Sequence, residues 1–371
     1  ADIRAEHRRH ARPRLGHAGQ RLGQIVGMGA AEVALVLGDL GHRRGRLGRQ
    51  GPDRPGVQID PGPERREGRS DRRQLLGIGH ERGDHGPYDT EVSGLARPEI
   101  LATTEWLAEN LGRFGIRVLD LRWRPDGTAP AVHAMGHIPG AVLVDWRTEL
   151  VDDGENGEAI LLTSPDRIAT LAARAGITDD TTVVVYDDTQ SLFAARAWWS
   201  LRAYGFESVR ILDGGYPEWA SEGREISNAK VAPWSGGFAI RGPNRTRLTT
   251  ADVRGLLASP DVTLLDARAP AEYLGYEGNT KRLGHIPGAI NVPVGATSEP
   301  GRQRLRDGLA LRDLLHRANV TRGRRMVCYD GSGIAAAKLA FVLMLLGHED
   351  VAVYDGGWAE WGNRLDLPVD R

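Results

Sequence analysis

Cysteine is almost missing from this chain: Cys328 is the only one in 371 residues. No intrachain disulfide can form, which excludes a disulfide-stapled secreted scaffold and fits a reducing, cytoplasmic setting. Lysine is nearly as scarce, at Lys230, Lys281 and Lys338 alone. The remaining positive charge is arginine, which we read as the codon bias of a GC-rich genome rather than as chemistry. A net charge of either sign is also lacking, since 48 Lys+Arg meet 49 Asp+Glu. That balance gives no global argument for nucleic acid or a membrane surface. No apolar run approaches the ~20 residues needed to span a bilayer. The length allows two or three domains with real cores.

Residues 1–97 also lack lysine, and they cluster Arg, Gly, His, Pro and Asp, as in Gly41 to Gly56 and Pro61 to Arg73. Large apolar side chains are too few to offset the entropy of ordering the segment, so it is expected to be disordered. Ile25 to Leu40 is the exception and reads as a short helix. It starts late, carries Glu32 and has no clear cleavage site, which argues against a signal peptide. The arginine clusters suggest a nucleic-acid arm or a non-native upstream extension. Interleaved acids and the absence of an aromatic platform favour the second reading.

From about Pro98 the chain repeats itself. Val118 to Trp123 (VLDLRW) recurs as Leu264 to Ala269 (LLDARA). GHIPGA at Gly136 to Ala141 recurs letter for letter at Gly284 to Ala289. Val183 to Trp199 aligns without gaps to Arg325 to Phe341, and Asp213 to Ala220 (DGGYPEWA) matches Asp355 to Gly362 (DGGWAEWG). Two copies of roughly 125 residues imply tandem domains, 98–226 and 246–371, joined by a polar linker over 227–245. Strands are expected at Arg117–Leu121 and Thr182–Tyr186, and helices at Thr104–Leu111 and Leu192–Ala203. That alternation predicts an α/β fold, a mainly parallel sheet flanked by helices in each copy.

The stretch Arg325 to Lys338, RMVCYDGSGIAAAK, carries the chemistry. An apolar strand enters an Asp330-Gly331-Ser332-Gly333 turn, and a largely apolar helix leaves it from Ile334 to Leu346. Such a turn directs several backbone N–H groups into one concavity beside the positive end of a helix dipole, so it is an anion cradle. Ligands of parallel sheets bind beyond the carboxyl ends of the strands, which is where this loop falls.

The order D-x-R, GHIPGA, strand–loop–helix and DGG…W, present twice from about Pro98 to Pro368, resembles the two-domain rhodanese sulfurtransferases. The R-x-W-W of Arg196–Trp199 is similar to the first, non-catalytic domain of that family. The resemblance implies a sulfurtransferase: a loop thiolate takes sulfane sulfur from thiosulfate or 3-mercaptopyruvate as a persulfide and passes it to a thiophilic acceptor. It implies a small anionic donor as partner, no nucleic acid or membrane, and neither a metal nor an organic cofactor. The loop amides of Gly331, Ser332, Gly333 and Ile334, with Arg268 of the D-x-R motif, would hold the donor.

The chain departs from the family where that thiolate belongs. The mercaptopyruvate-type loop reads Cys-Gly-Ser-Gly-Val, and here Asp330 stands first, with Asp188 as its match in the first copy. Cys328 lies two residues earlier. In an extended strand it faces the same side as residue 330, about 6.5 Å short, either as a displaced nucleophile or as a small apolar strand residue. Asp330 stands at the family's nucleophile position and reads as a helix cap whose carboxylate fills the cradle, which taken literally leaves this copy silent too. Arg268 has an ion pair with Asp266 as its alternative role, and a second substrate arginine of some members is Glu272 here. His137 and His285, identical in both copies, read as structural hydrogen-bonders, and Trp219, Trp358 and Trp361 as core or rim. Two functions stay open: a sulfurtransferase, and a silent pair serving as a binding or regulatory module. A Cys-dependent phosphatase of related fold is excluded, because the sixth residue after Cys328 is Ile334 and not arginine.

Overall fold

Each short β-branched run of the repeats lies in a parallel sheet. The structure, a computed structural model, describes residues 94–154, 157, 159–231, 235–321 and 324–371, all within one compact unit. The expected helix over Ile25 to Leu40, and residues 1–93 of the expected disordered segment, lie outside the described residues. Residues 94–97 pack onto the fold: Leu95 is buried, and the N–H groups of Ala96 and Arg97 donate to Leu345 O.

In chain order the strands are β1 (Leu101–Ala102), β2 (Ile116–Asp120), β3 (Ala141–Leu143), β4 (Val151–Asp153), β5 (Ile160–Leu162), β6 (Thr182–Tyr186) and β7 (Val209–Leu212), followed by β8 (Arg247–Leu248), β9 (Val262–Asp266), β10 (Ile290–Asn291), β11 (Arg325–Tyr329) and β12 (Val351–Tyr354). The first sheet has the order β1-β7-β6-β2-β3 and the second β8-β12-β11-β9-β10, with every neighbouring pair parallel. The two orders are the same order, so the repeat of letters is a repeat of topology. Among the described strands, β4 and β5 form the antiparallel pair.

The helices are α1 (Thr104–Asn110), α2 (Ala129–Met135), α3 (Trp146–Glu149), α4 (Pro165–Ala175), α5 (Leu192–Ala203), α6 (Gly215–Ser221), α7 (Thr250–Leu256), α8 (Pro270–Tyr273), α9 (Gly308–Arg317), α10 (Ile334–Leu345) and α11 (Gly357–Trp361). Local chemistry sets their ends. Thr103 accepts from Trp106 N, Thr249 and Asp252 form a reciprocal capping box, and α4 runs from a proline to Gly176 in the left-handed conformation. Strands and helices match the sequence expectations to within a residue.

Helices α5 and α10 are buried on almost every side, ten of twelve residues in each. Apart from Arg196, Ser200 and Arg202 in α5 and Lys338 in α10 the buried residues of both are apolar, and the two helices pack on each other. Trp198 meets Phe341 edge-to-face at 5.1 Å between ring centroids. One apolar cluster therefore spans both repeats, from Leu119 and Val185 of the first sheet to Leu265, Met326 and Cys328 of the second. The opposite sheet faces have their own cores, around Val118, Val184 and Trp219 and around Val327, Tyr354 and Trp361.

Truncating that junction should weaken both repeats together. Phe341→Ala is expected to cost about 3–5 kcal/mol, read as one urea transition displaced as a whole. Two transitions, with the first repeat unmoved, would show that the shared core does not couple them.

Candidate functional site

The loop after β11 is shaped by its own aspartate. Asp330 is buried, and its Oδ1 accepts from Gly333 N at 2.5 Å while Oδ2 accepts from Ala335 N at 3.2 Å. Of the four loop N–H groups expected to cradle an anion, that of Gly333 thus meets a carboxyl group supplied by the chain, which Ala335 N joins from the first turn of α10. Burial pushes the Asp330 carboxyl above its ordinary value, and the loop N–H groups pull back against it. Outside the loop, Trp358 N donates to Asp330 O at 2.6 Å and Ala359 N to Gly331 O at 3.1 Å. Gly357, at φ +55°, makes this approach possible: a Cβ there would lie 2.4 Å from Asp330 O.

The first repeat shows which aspartate corresponds. Tyr186 pairs with Asp120 as Tyr329 pairs with Asp266. Their hydroxyls accept from the N–H groups of Ile138 and Ile286, one in each GHIPGA turn. The counterpart of Asp330 is therefore Asp187, not Asp188, and the first loop is one residue longer before its helix. Asp187 accepts from Thr189, Ser191, Phe193 and Ala194 N–H groups, all at 2.9 Å. Asp188 points elsewhere, to an ion pair with Arg124.

Cys328 is placed in the sheet and not in the loop. It pairs with Leu265 and Val353 on neighbouring strands, is fully buried, and shares the large apolar cluster with Met326. Burial first, and then the Asp330 charge, push its thiol far above the ordinary range. The i, i+2 alternation that would aim it at the loop holds only inside a strand, and β11 ends at Tyr329.

Arg268 is also committed. Its Nε and Nη2 bind Asp266, at 3.0 and 2.5 Å, and Nη2 reaches Gly284 O at 2.8 Å. Its guanidinium lies 4.6 Å from the Trp358 ring centroid. Arg122 repeats this with Asp120 and Gly136 O in the first copy. Glu272 stands at the start of α8, accepts from Ala269 N, and is pushed up to about 7 by burial, against the pull of Arg268 and with a further push from Asp330. His137 and His285 each use Nδ1 on a backbone carbonyl, of His133 and Tyr273. Trp219, Trp358 and Trp361 are core residues, 1%, 2% and 0% exposed.

Sequence reasoning missed the residues that join the repeats at this loop. Arg196 of α5 donates to Asp355 Oδ1 at 3.0 Å, and Asp355 Oδ2 accepts from Leu162 N at 2.6 Å and Arg247 Nε at 2.9 Å. In the mirror contact, Leu305 N donates to Asp213 Oδ1 at 3.1 Å. The available signal was the DGG motif itself, whose aspartate occurs in both copies and is buried in both. Among the described residues no group of His, Cys, Asp and Glu is arranged to hold a metal, and no helix is long and apolar enough to cross a membrane.

Two expectations follow. Arg268→Met should cost about 3–5 kcal/mol by leaving Asp266 buried and unpaired, with Asp266→Asn restoring part of it in the double variant; unchanged stability would show that Asp266 does not need this partner. For Glu272 the folded value exceeds the unfolded one, so its protonated form is favoured by folding and stability falls as pH rises from about 4.5 through about 7. Relative to Glu272→Gln, the parent should lose on the order of 2 kcal/mol across that window. A flat difference in urea midpoints would contradict this.

A family model for the rhodanese-like domain matches residues 103–222 and 249–364. The putative thiosulfate sulfurtransferase SseB of Mycobacterium tuberculosis is 39% identical over 286 residues, covering 74% of this chain and 98% of its own length. The sulfur carrier protein TtuD of Thermus thermophilus is 31% identical over 293 residues, covering 75% of this chain and 99% of its own. Among solved structures, the 3-mercaptopyruvate sulfotransferase SseA of Escherichia coli superposes with a TM-score of 0.63 at 28% identity, over 70% of this chain and 98% of that one. Two matched domains, two sheets of one topology and relatives aligned nearly end to end agree: the chain belongs to the rhodanese-like family of sulfurtransferases.

Proposed function

We propose that the chain transfers sulfane sulfur from a small anionic donor, of the thiosulfate or 3-mercaptopyruvate kind, to a thiophilic acceptor, and that it does so slowly. The observation that carries the second clause is the Asp330 carboxylate seated on the amides of Gly333 and Ala335. In the family's reaction a thiolate attacks the outer sulfur of the donor. A new S–S bond forms, and the bond to the donor breaks with its electron pair leaving on sulfite or pyruvate enolate. The acceptor then attacks the outer sulfur and the thiolate leaves. A carboxylate can neither take that sulfur nor release it.

The only thiol is Cys328, and it can serve only when the sheet opens around it and it loses its proton. Both steps are uphill for a fully buried group with a raised pKa. With Arg268 held by Asp266, anchoring of the donor falls to the N–H groups of Gly331, Ser332, Gly333 and Ile334, in competition with Asp330. A second reading, a binding or regulatory module without turnover, is favoured by the same hydrogen bonds, since a loop that satisfies itself needs no ligand to keep its shape.

One assay on three proteins separates these. With cyanide as acceptor, Asp330→Cys should exceed the parent roughly 100-fold or more and show a persulfide mass shift, because the amides and the helix terminus already suit a thiolate. Cys328→Ser should remove what slow rate the parent has. A parent as fast as Asp330→Cys would overturn the proposal, and so would no activity in any variant, an outcome that favours the binding module.

A further inference from the structure

Arg196 belongs to the first repeat, yet its two side-chain hydrogen bonds end in the second. Nη1 donates to Gly333 O at 3.2 Å and Nη2 to Asp355 Oδ1 at 3.0 Å. The side chain is fully buried, its guanidinium lies 4.6 Å from the Trp199 ring centroid, and its Nε–H has no partner. A buried cation with an unsatisfied N–H is a poor way to glue two helices, and an apolar side chain of similar length would pack there at lower cost. Cohesion alone therefore does not account for an arginine at this position.

What Arg196 does account for is the conformation of Gly333. That glycine has φ +78°, its N–H faces inward to Asp330 Oδ1, and its carbonyl faces outward to the guanidinium. A Cβ on Gly333 would lie 2.6 Å from Arg196 Nη1, so the arginine fills the space directly behind the glycine. The Gly333 backbone is thus gripped from both sides, by Asp330 within and by Arg196 without. Asp355, the other acceptor, heads the turn whose Trp358 and Ala359 N–H groups hold the carbonyls of Asp330 and Gly331. Lys338, the counterpart of Arg196 in α10, has its Nζ on Ser298 Oγ at 2.8 Å, within its own repeat.

We propose that Arg196 is a positioning residue that acts across the repeat boundary. It holds Gly333 in the left-handed conformation so that the loop N–H groups converge on position 330. Its purpose rests on the sulfur-transfer reading above, whereas its geometry does not. In the first repeat the matching loop position, Ser191, is left-handed at φ 63° and donates its N–H to Asp187, while the neighbouring Gln190 is held from the second repeat, its N–H on Gln303 Oε1 at 2.5 Å and its Nε2 on Arg302 O at 3.0 Å. Both loops are thus gripped from the other repeat, the first through Gln190 and the second through the Arg196 guanidinium on the Gly333 carbonyl.

The test compares the full-length parent with Arg196→Met and Arg196→Lys by amide hydrogen exchange. The Gly333 and Ala335 amides should exchange about tenfold faster or more in Arg196→Met, while amides of β6 and β11 keep parental rates. Arg196→Lys retains the charge and should fall between. In the Asp330→Cys background, Arg196→Met should slow iodoacetamide alkylation of the new thiol about tenfold at neutral pH and move its pH profile upward, because the thiolate loses N–H donors. Equal acceleration of all amides would reduce Arg196 to a structural residue and overturn the proposal, as would an unchanged Gly333 rate or an unchanged thiol profile. Neither readout needs turnover, so an inactive Asp330→Cys protein would count against the proposed function and not against this role.

Discussion

A helix that begins at the carboxyl edge of a parallel sheet leaves its first N–H groups without intrahelical partners, and burial forbids water from serving them. The fold of each repeat depends on how that demand is met. In the first, Asp187 accepts from Phe193 and Ala194 of the first turn and from Thr189 and Ser191 before it; in the second, Asp330 accepts from Ala335 of the first turn and from Gly333 at its cap. A carboxylate offers several lone-pair directions and suits this geometry, but it carries a charge into a dry site. Burial accordingly raises the pKa of both aspartates despite their donors. A thiolate or persulfide in the same nest would meet the same donors with a larger, softer and less strongly hydrated anion. Aspartate at this position is thus a stable answer to the structural demand and a poor answer to the chemical one.

The second demand is that the two repeats stay in register with each other. Apolar contact between α5 and α10 supplies cohesion without direction, since such contact is roughly proportional to area. Direction comes from buried polar contacts: Leu162 N on Asp355, Leu305 N on Asp213, and the Arg196 fork on Asp355 and Gly333 O. Each repeat lends a backbone N–H to the aspartate of the other's DGG turn, and each DGG turn backs its own loop through Tyr216 N or Trp358 N. A shift between repeats would therefore be felt at the loop before it was felt in the sheets.

Much of the fold was legible in the sequence, because letters that occur twice in order are a stronger signal than any single propensity. Strand Thr182–Tyr186 and helix Leu192–Ala203 lie where the pattern puts them. Within the site, the loop itself was legible and its details were not. An ungapped match of Val183 to Trp199 with Arg325 to Phe341 sets Asp188 against Asp330, yet the pairs Tyr186-Asp187 and Tyr329-Asp330 are the true counterparts and were visible as letters. Cys328 misleads for a different reason: alternation along a strand says nothing about the residue just past its end. Arg196 and Asp355 could not be joined from sequence at all, since 159 positions separate them and the bond crosses from one repeat to the other.

These constraints together explain how the loop after β11 keeps its shape with an aspartate at its head. The interactions that shape the second loop are made by the Asp330 carboxylate, by backbone groups of Asp330, Gly331, Gly333, Ala335, Trp358 and Ala359 and by Arg196, and none of them involves sulfur. The first repeat already demonstrates that an aspartate at the strand end sustains the same topology. The shape of the loop and the identity of the group at residue 330 are therefore separable in structural terms, since the sheets on either side of it are the same in both repeats. The arginine that reaches in from the neighbouring repeat fits the same logic, because its grip on Gly333 acts on the peptide and is indifferent to which anion the peptide faces.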